Sequence, residues 1–99
     1  MIYDSIIKTQ RVLQELADKY TPLFDMPRVR VLLKQHEEFK DGKDAFTIED
    51  TIIVNFNKAC QFDSDMDTLI KRELLYVWAY RKGISSDSPE FKRKHREVL

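Results

Sequence analysis

Apolar residues recur along this chain with two different periods, and the changes of period mark its elements. Ile6, Val12, Leu13, Leu16, Ala17 and Tyr20 recur with three- and four-residue spacings (Leu13 to Leu16 and Ala17, and each of those to Tyr20), with Lys8, Gln10, Arg11, Gln14, Glu15 and Asp18 between them. Such spacing puts one apolar stripe along a helix, and it predicts a helix over the first twenty residues. Thr21-Pro22 ends it, because proline lacks an N–H and disfavours a helical residue before it. A Val-rich strand is expected from Arg28 to Lys34, just after Pro27. The charged stretch His36 to Asp44 holds a turn signal at Asp41-Gly42. Two short strands follow, Phe46-Thr47-Ile48 and Thr51 to Phe56, joined at Glu49-Asp50 and rich in β-branched residues. Alternation assigns Ile52, Val54 and Phe56 to one face of the second strand and Ile53 and Asn55 to the other.

The period then returns to that of a helix. Asp63-Ser64-Asp65-Met66-Asp67 reads as a helix start, with Ser64 as cap and the acids suiting the positive end of the dipole. This helix should run to about Lys82 and stop at Gly83, with Arg81 and Lys82 at its negative end. Ser88-Pro89 opens a last helix, serine as cap and proline at the first position, with Phe91, His95 and Val98 on one side. The order helix, strand, hairpin, helix, helix predicts one small α+β domain over residues 1–99, a three-stranded sheet packed on helices.

Composition agrees with one folded core. The chain has 99 residues, 42% hydrophobic and 11% aromatic, with two glycines and three prolines. No apolar run approaches the roughly 20 residues that cross a bilayer, and Met1-Ile2-Tyr3-Asp4 lacks the pattern of a signal peptide. One cysteine, Cys60, excludes an internal disulfide and points to a reducing cytoplasmic setting. Beside Ala59 and near Phe62, Cys60 reads as an inert buried thiol. Net charge is zero but uneven: residues 34–66 hold four Lys/Arg against eight Asp/Glu, and residues 67–99 hold eight against five. A strong nucleic-acid footprint would show a larger basic excess.

The chemistry-bearing stretch is Lys71-Arg72-Glu73-Leu74-Leu75-Tyr76, followed by Ser86-Asp87-Ser88-Pro89-Glu90-Phe91-Lys92. It resembles the active site of the SprT-like (Spartan-like) zincin metallopeptidases with the metal ligands replaced. In that family one helix carries His-Glu-x-x-His, and a loop carries a third His in a Gly-His-Gly-Pro-Glu-Phe-Lys-like context. By this resemblance Arg72 stands at the first histidine, Tyr76 at the second and Asp87 at the third, while Glu73 is the retained acid. Ile53-Val54-Asn55 is similar to the family's apolar-Asn strand, and Pro89-Glu90-Phe91-Lys92 to the stretch after the third ligand. The resemblance implies a small zincin-like domain without the C-terminal zinc ribbon that many relatives carry.

A zincin places two histidines four residues apart so that both imidazoles reach one Zn²⁺, and the intervening Glu polarises the metal-bound water. Arg72 offers a permanent cation with no free lone pair. Tyr76 offers a phenol, a poor zinc ligand at neutral pH. The expectation is therefore no metal and no cofactor, with Arg72 replacing the lost cation and neutralising Glu73 or Asp87. The leading function is that of a catalytically inactive zincin-like module that binds a macromolecule along the old groove, edged by Arg72, Glu73, Tyr76, Tyr80 and Asp87. A protein partner suits zero net charge better than nucleic acid, and no membrane is expected. A mini-domain of this sort would fit a phage or mobile-element inhibitor of host machinery, by fold-level analogy.

Two alternatives stay open. One is a metallopeptidase with unconventional ligands, drawing on Glu73, Asp87, His95 and Cys60. The other is a DNA-binding accessory module using the basic run of Lys92, Arg93, Lys94 and Arg96, which reads otherwise as a solvated helix face. His36 reads as a loop histidine, and the acidic residues Glu37, Glu38, Asp41, Asp44, Glu49 and Asp50 as a solvated or partner-facing segment.

Overall fold

The computed structural model describes residues 2–34, 45–55 and 66–99, and side chains from residue 6 onward. Its first helix, α1 (Ile2–Tyr20), buries Leu13 and Ala17 and packs Leu16 and Tyr20 against the core. Val12 departs from the expected stripe: it is 47% exposed, because it lies a full 100° step from Leu13 around the helix. A 3-10 turn, Thr21–Phe24, follows, with Pro22 near its start and Phe24 buried. The Thr21 hydroxyl donates to the Ala17 carbonyl, which caps the end of α1.

Three strands form one mixed sheet. They are β1 (Arg30–Lys34), β2 (Ala45–Ile48) and β3 (Thr51–Asn55), in the spatial order β1-β3-β2. The expected hairpin joins β2 and β3 antiparallel, with Ile48 opposite Thr51 and Ala45 opposite Val54. Its turn places Glu49 at φ 55, a left-handed conformation without the glycine that usually supplies it. Strand β1 pairs in parallel with β3, from Arg30 opposite Thr51 to Lys34 opposite Asn55. Because β3 is central, both of its faces are covered: Ile52 and Val54 enter the main core, while Ile53 and Asn55 are also buried.

The second helix, α2 (Met66–Lys82), is the spine of the fold. It buries Leu69, Ile70, Leu74, Leu75, Val77, Trp78 and Ala79 against α1, the sheet and the last helix. Each fully buried Leu or Ile contributes roughly 1.5–3 kcal/mol of transfer free energy. Gly83 ends α2 at φ +66, with its N–H on the Tyr80 carbonyl at 3.2 Å and the Ile84 N–H on the Ala79 carbonyl at 2.8 Å. That pair of bonds is a Schellman closure. The last helix, α3 (Pro89–Val98), starts on the Ser88 hydroxyl, which accepts from the Phe91 N–H at 3.2 Å. Phe91 and Val98 are buried, but His95 on the same side is exposed. Arg81 ties the end of α2 to the hairpin turn through Asp50 at 3.3 Å and to the Pro27 carbonyl at 3.0 Å.

The architecture is α+β, as the pattern predicts. Among the described residues no helix is long and apolar enough to cross a membrane. His36, the acidic residues Glu37 to Asp44 with their Asp41-Gly42 turn, Phe56, Cys60 and the helix start at Asp63-Ser64-Asp65 lie outside the described residues.

Candidate functional site

Residues 72, 73, 76 and 80 are all carried by α2, and its periodicity decides what each can do. Arg72, Tyr76 and Tyr80 sit four apart, so they line up on one side. All three are exposed, Tyr76 by 43% and Tyr80 by 59%. With Thr68 they make a solvent-facing stripe one residue wide on a helix otherwise buried over most of its circumference. Glu73 lies a 100° step away and turns inward, where it is 4% exposed. Both Glu73 and the fully buried Asn55 of β3 have interaction partners there.

The loop between α2 and α3 brings Asp87 to the surface next to the start of α3. Its N–H donates to the Ser85 hydroxyl at 3.2 Å, and the Ser88 hydroxyl donates to the Ser85 carbonyl at 2.7 Å, so the serines shape a tight turn. Tyr76 reaches toward that helix: its ring stands 5.5 Å from the Phe91 ring, tilted by 41°. The α2 stripe and the start of α3 therefore share one aromatic contact. The expected ion cluster is a different matter, since among the described residues Arg72 makes no ion pair with Glu73 or Asp87. Adjacent residues on a helix point about 100° apart, so a guanidinium facing water does not neutralise the buried acid beside it.

The donor set does not fit zinc. Arg72 has no lone pair to give, Tyr76 is a phenol packed on Phe91, and Glu73 faces away from both. Among the described residues no group of three or more His, Cys, Asp or Glu side chains is gathered to hold a metal ion. Open depressions occur instead on the α1 flank. One of about 480 Å³ is lined by residues that include Arg11, Glu15, Asp18 and Arg28, and the 3.1 Å Arg28–Asp18 pair lies within it.

No family model, no curated protein and no solved structure matches this chain.

The basic run divides into two parts. Lys92, Arg93 and Arg96 are exposed on α3, as a phosphate-facing surface would need. Lys94 is turned inward: its ammonium lies 5.5 Å from the centroid of Phe24 and 5.9 Å from that of Trp78. It also donates to the Leu23 carbonyl at 2.7 Å and pairs with Glu97 at 3.6 Å. Lys94 is a clasp between α3 and the 3-10 turn. The density of basic residues could not reveal this, because an i,i+2 position in the run carries no mark of its inward direction. Trp78 is core, and the Lys82 ammonium lies 5.8 Å from its ring centroid.

Tyr20 receives two cations, Lys19 at 5.1 Å and Lys71 at 4.7 Å from its ring centroid. Lys71 immediately precedes Arg72, so the α2 stripe begins beside a cationic, aromatic shoulder contributed by α1.

Proposed function

We propose that this chain is a catalytically inactive zincin-like module that acts by gripping a protein partner through the Arg72-Tyr76-Tyr80 stripe. The observation that carries the reading is the exposure of these three residues along the middle of a helix that buries most of its remaining surface. Arg and Tyr are the residue types that dominate interface hot spots, because they combine large contact area with polar tips. Tyr76 is braced by Phe91, so less side-chain freedom is lost when a partner orders it. The replaced ligand positions support the absence of zinc chemistry, since an arginine and a phenol cannot do the work of two imidazoles. A reducing cytoplasm fits the single cysteine, and an inhibitor carried by a phage or mobile element fits a binding module of this kind by fold-level analogy. Glu73 and Asp87 are assigned to the former ligand region by the same reading; Asp87 is exposed before α3 and Glu73 is buried in α2.

The test compares two forms of the chain as bait in lysate of its source cells. A protein retained by the native chain should be lost by Arg72→Glu/Tyr76→Ala/Tyr80→Ala while thermal unfolding stays unchanged. Retention of the same partner by the triple variant would refute the stripe as the binding face.

A second reading rests on the exposed Lys92, Arg93 and Arg96, which could meet nucleic-acid phosphates. It predicts a gel shift that weakens with salt and disappears in Lys92→Ala/Arg93→Ala/Arg96→Ala. No shift at low salt removes it.

A further inference from the structure

Strand β1 lies at the edge of the sheet, paired with β3 on one side only. Along a strand the peptide groups of alternate residues face opposite edges. Those of Val29, Val31 and Leu33 face away from β3, and α1 meets them with two glutamines. The Gln14 side-chain amide donates to the Val29 carbonyl at 2.9 Å and accepts from the Val31 N–H at 3.0 Å. Gln10 repeats the pattern two residues along: it donates to the Val31 carbonyl and accepts from the Leu33 N–H at 3.0 Å. The spacings agree, since four residues of helix rise about 6 Å and two residues of strand about 6.6 Å. A carboxamide has the donor and acceptor of a peptide group, so the two side chains stand where a neighbouring strand would.

We propose that the outer edge of β1 is a self-association surface, held shut by Gln10 and Gln14, and that its occupant when opened is a second copy of this chain. The four groups the glutamines satisfy are those needed for an antiparallel pairing centred on Val31. In that arrangement Val31 exchanges two hydrogen bonds with Val31 of the second copy, and the Leu33 N–H meets the Val29 carbonyl. The edge is thus complementary to itself about a two-fold axis. Val29, Val31, Leu32 and Leu33 supply the apolar, β-prone character that makes an open edge a pairing template. Opening requires α1 to swing away from β1 at both Gln10 and Gln14, since Val31 is fully buried and Gln14 holds its N–H. Ile7 and Val12 are exposed on α1, and Leu13 and Ala17, which flank Gln14, are the core contacts this movement must break.

The test is Gln10→Leu/Gln14→Leu, which keeps side-chain bulk and removes all four hydrogen bonds. Sedimentation over a wide concentration range should show self-association at least about ten-fold tighter than that of the native chain. Amide exchange should find Val31 and Leu33 protected in the native chain, open in the dilute variant and protected again in the concentrated one. The proposal is overturned if the variant keeps the native mass at every concentration while those amides exchange freely. It is equally overturned if the native chain exchanges them at unprotected rates. Should the double variant fail to fold, Gln10→Leu alone must raise the concentration-dependent mass above native, and no rise defeats the idea.

Discussion

Replacing Lys94 by methionine separates a structural lysine from a ligand-binding one. Methionine keeps the apolar stem that lies along Phe24 and Trp78 and removes only the ammonium. The loss has three parts. Two cation–aromatic contacts, on a side chain 20% exposed, are worth about 0.5 kcal/mol each. The charged hydrogen bond to the Leu23 carbonyl contributes about 1 kcal/mol at a site that water still reaches. The pair with Glu97, whose side chain is 59% exposed, adds only a few tenths of a kcal/mol. The expected destabilisation is therefore about 2 kcal/mol, or on the order of 10 °C in Tm for a chain of this size. Urea and thermal unfolding followed by far-ultraviolet circular dichroism would measure it. Lys92→Met, at an exposed position, serves as the control and should stay within about 0.5 kcal/mol of native. Equal midpoints for the two variants would show that Lys94 is no clasp, and would return it to the solvent-facing basic run.

Other substitutions probe the elements that present the site. Gly83→Ala should cost about 1 kcal/mol in unfolding experiments, and Gly83→Asn less, because a Cβ there meets nothing within 4 Å and only the left-handed backbone objects. Ser88→Ala removes the cap of α3 and should cost about 1 kcal/mol; a neutral result would mean that the 3.2 Å bond to the Phe91 N–H contributes nothing. Leu74→Ala, in the fully buried face of α2, should cost roughly 2–5 kcal/mol by denaturant titration. Protein purified without chelator should contain far less than one zinc per chain by elemental analysis, and a stoichiometric value would overthrow the argument from Arg72 and Tyr76.

Local signals in the sequence locate the three α-helices and three strands, but not the 3-10 turn Thr21–Phe24. Thr21-Pro22, Gly83 and Ser88-Pro89 each act through backbone chemistry that needs no tertiary context, so these boundaries were legible. Strand pairing was not: β1 runs parallel to β3, and nothing in Val31-Leu32-Leu33 names its partner. The same limit applies at the candidate site. Helical spacing does align Arg72, Tyr76 and Tyr80, but whether that side faces solvent depends on α1, the sheet and α3 packing around the rest of α2. Gln10 and Gln14 read as polar positions on a helix, as do many others. Their four-residue separation becomes meaningful only against a strand running past them.

The parallel pairing of β1 with β3 also bears on synthesis. A ribosome releases β1 well before β3, its partner within the sheet, and release proceeds N-terminal end first. During that interval both margins of a Val- and Leu-rich ribbon would be open to nascent neighbours. The helix that precedes it has already emerged, and its carboxamides can fill one margin at once. An exit-tunnel vantage thus gives α1 the work of a built-in chaperone before it becomes a wall of the finished core.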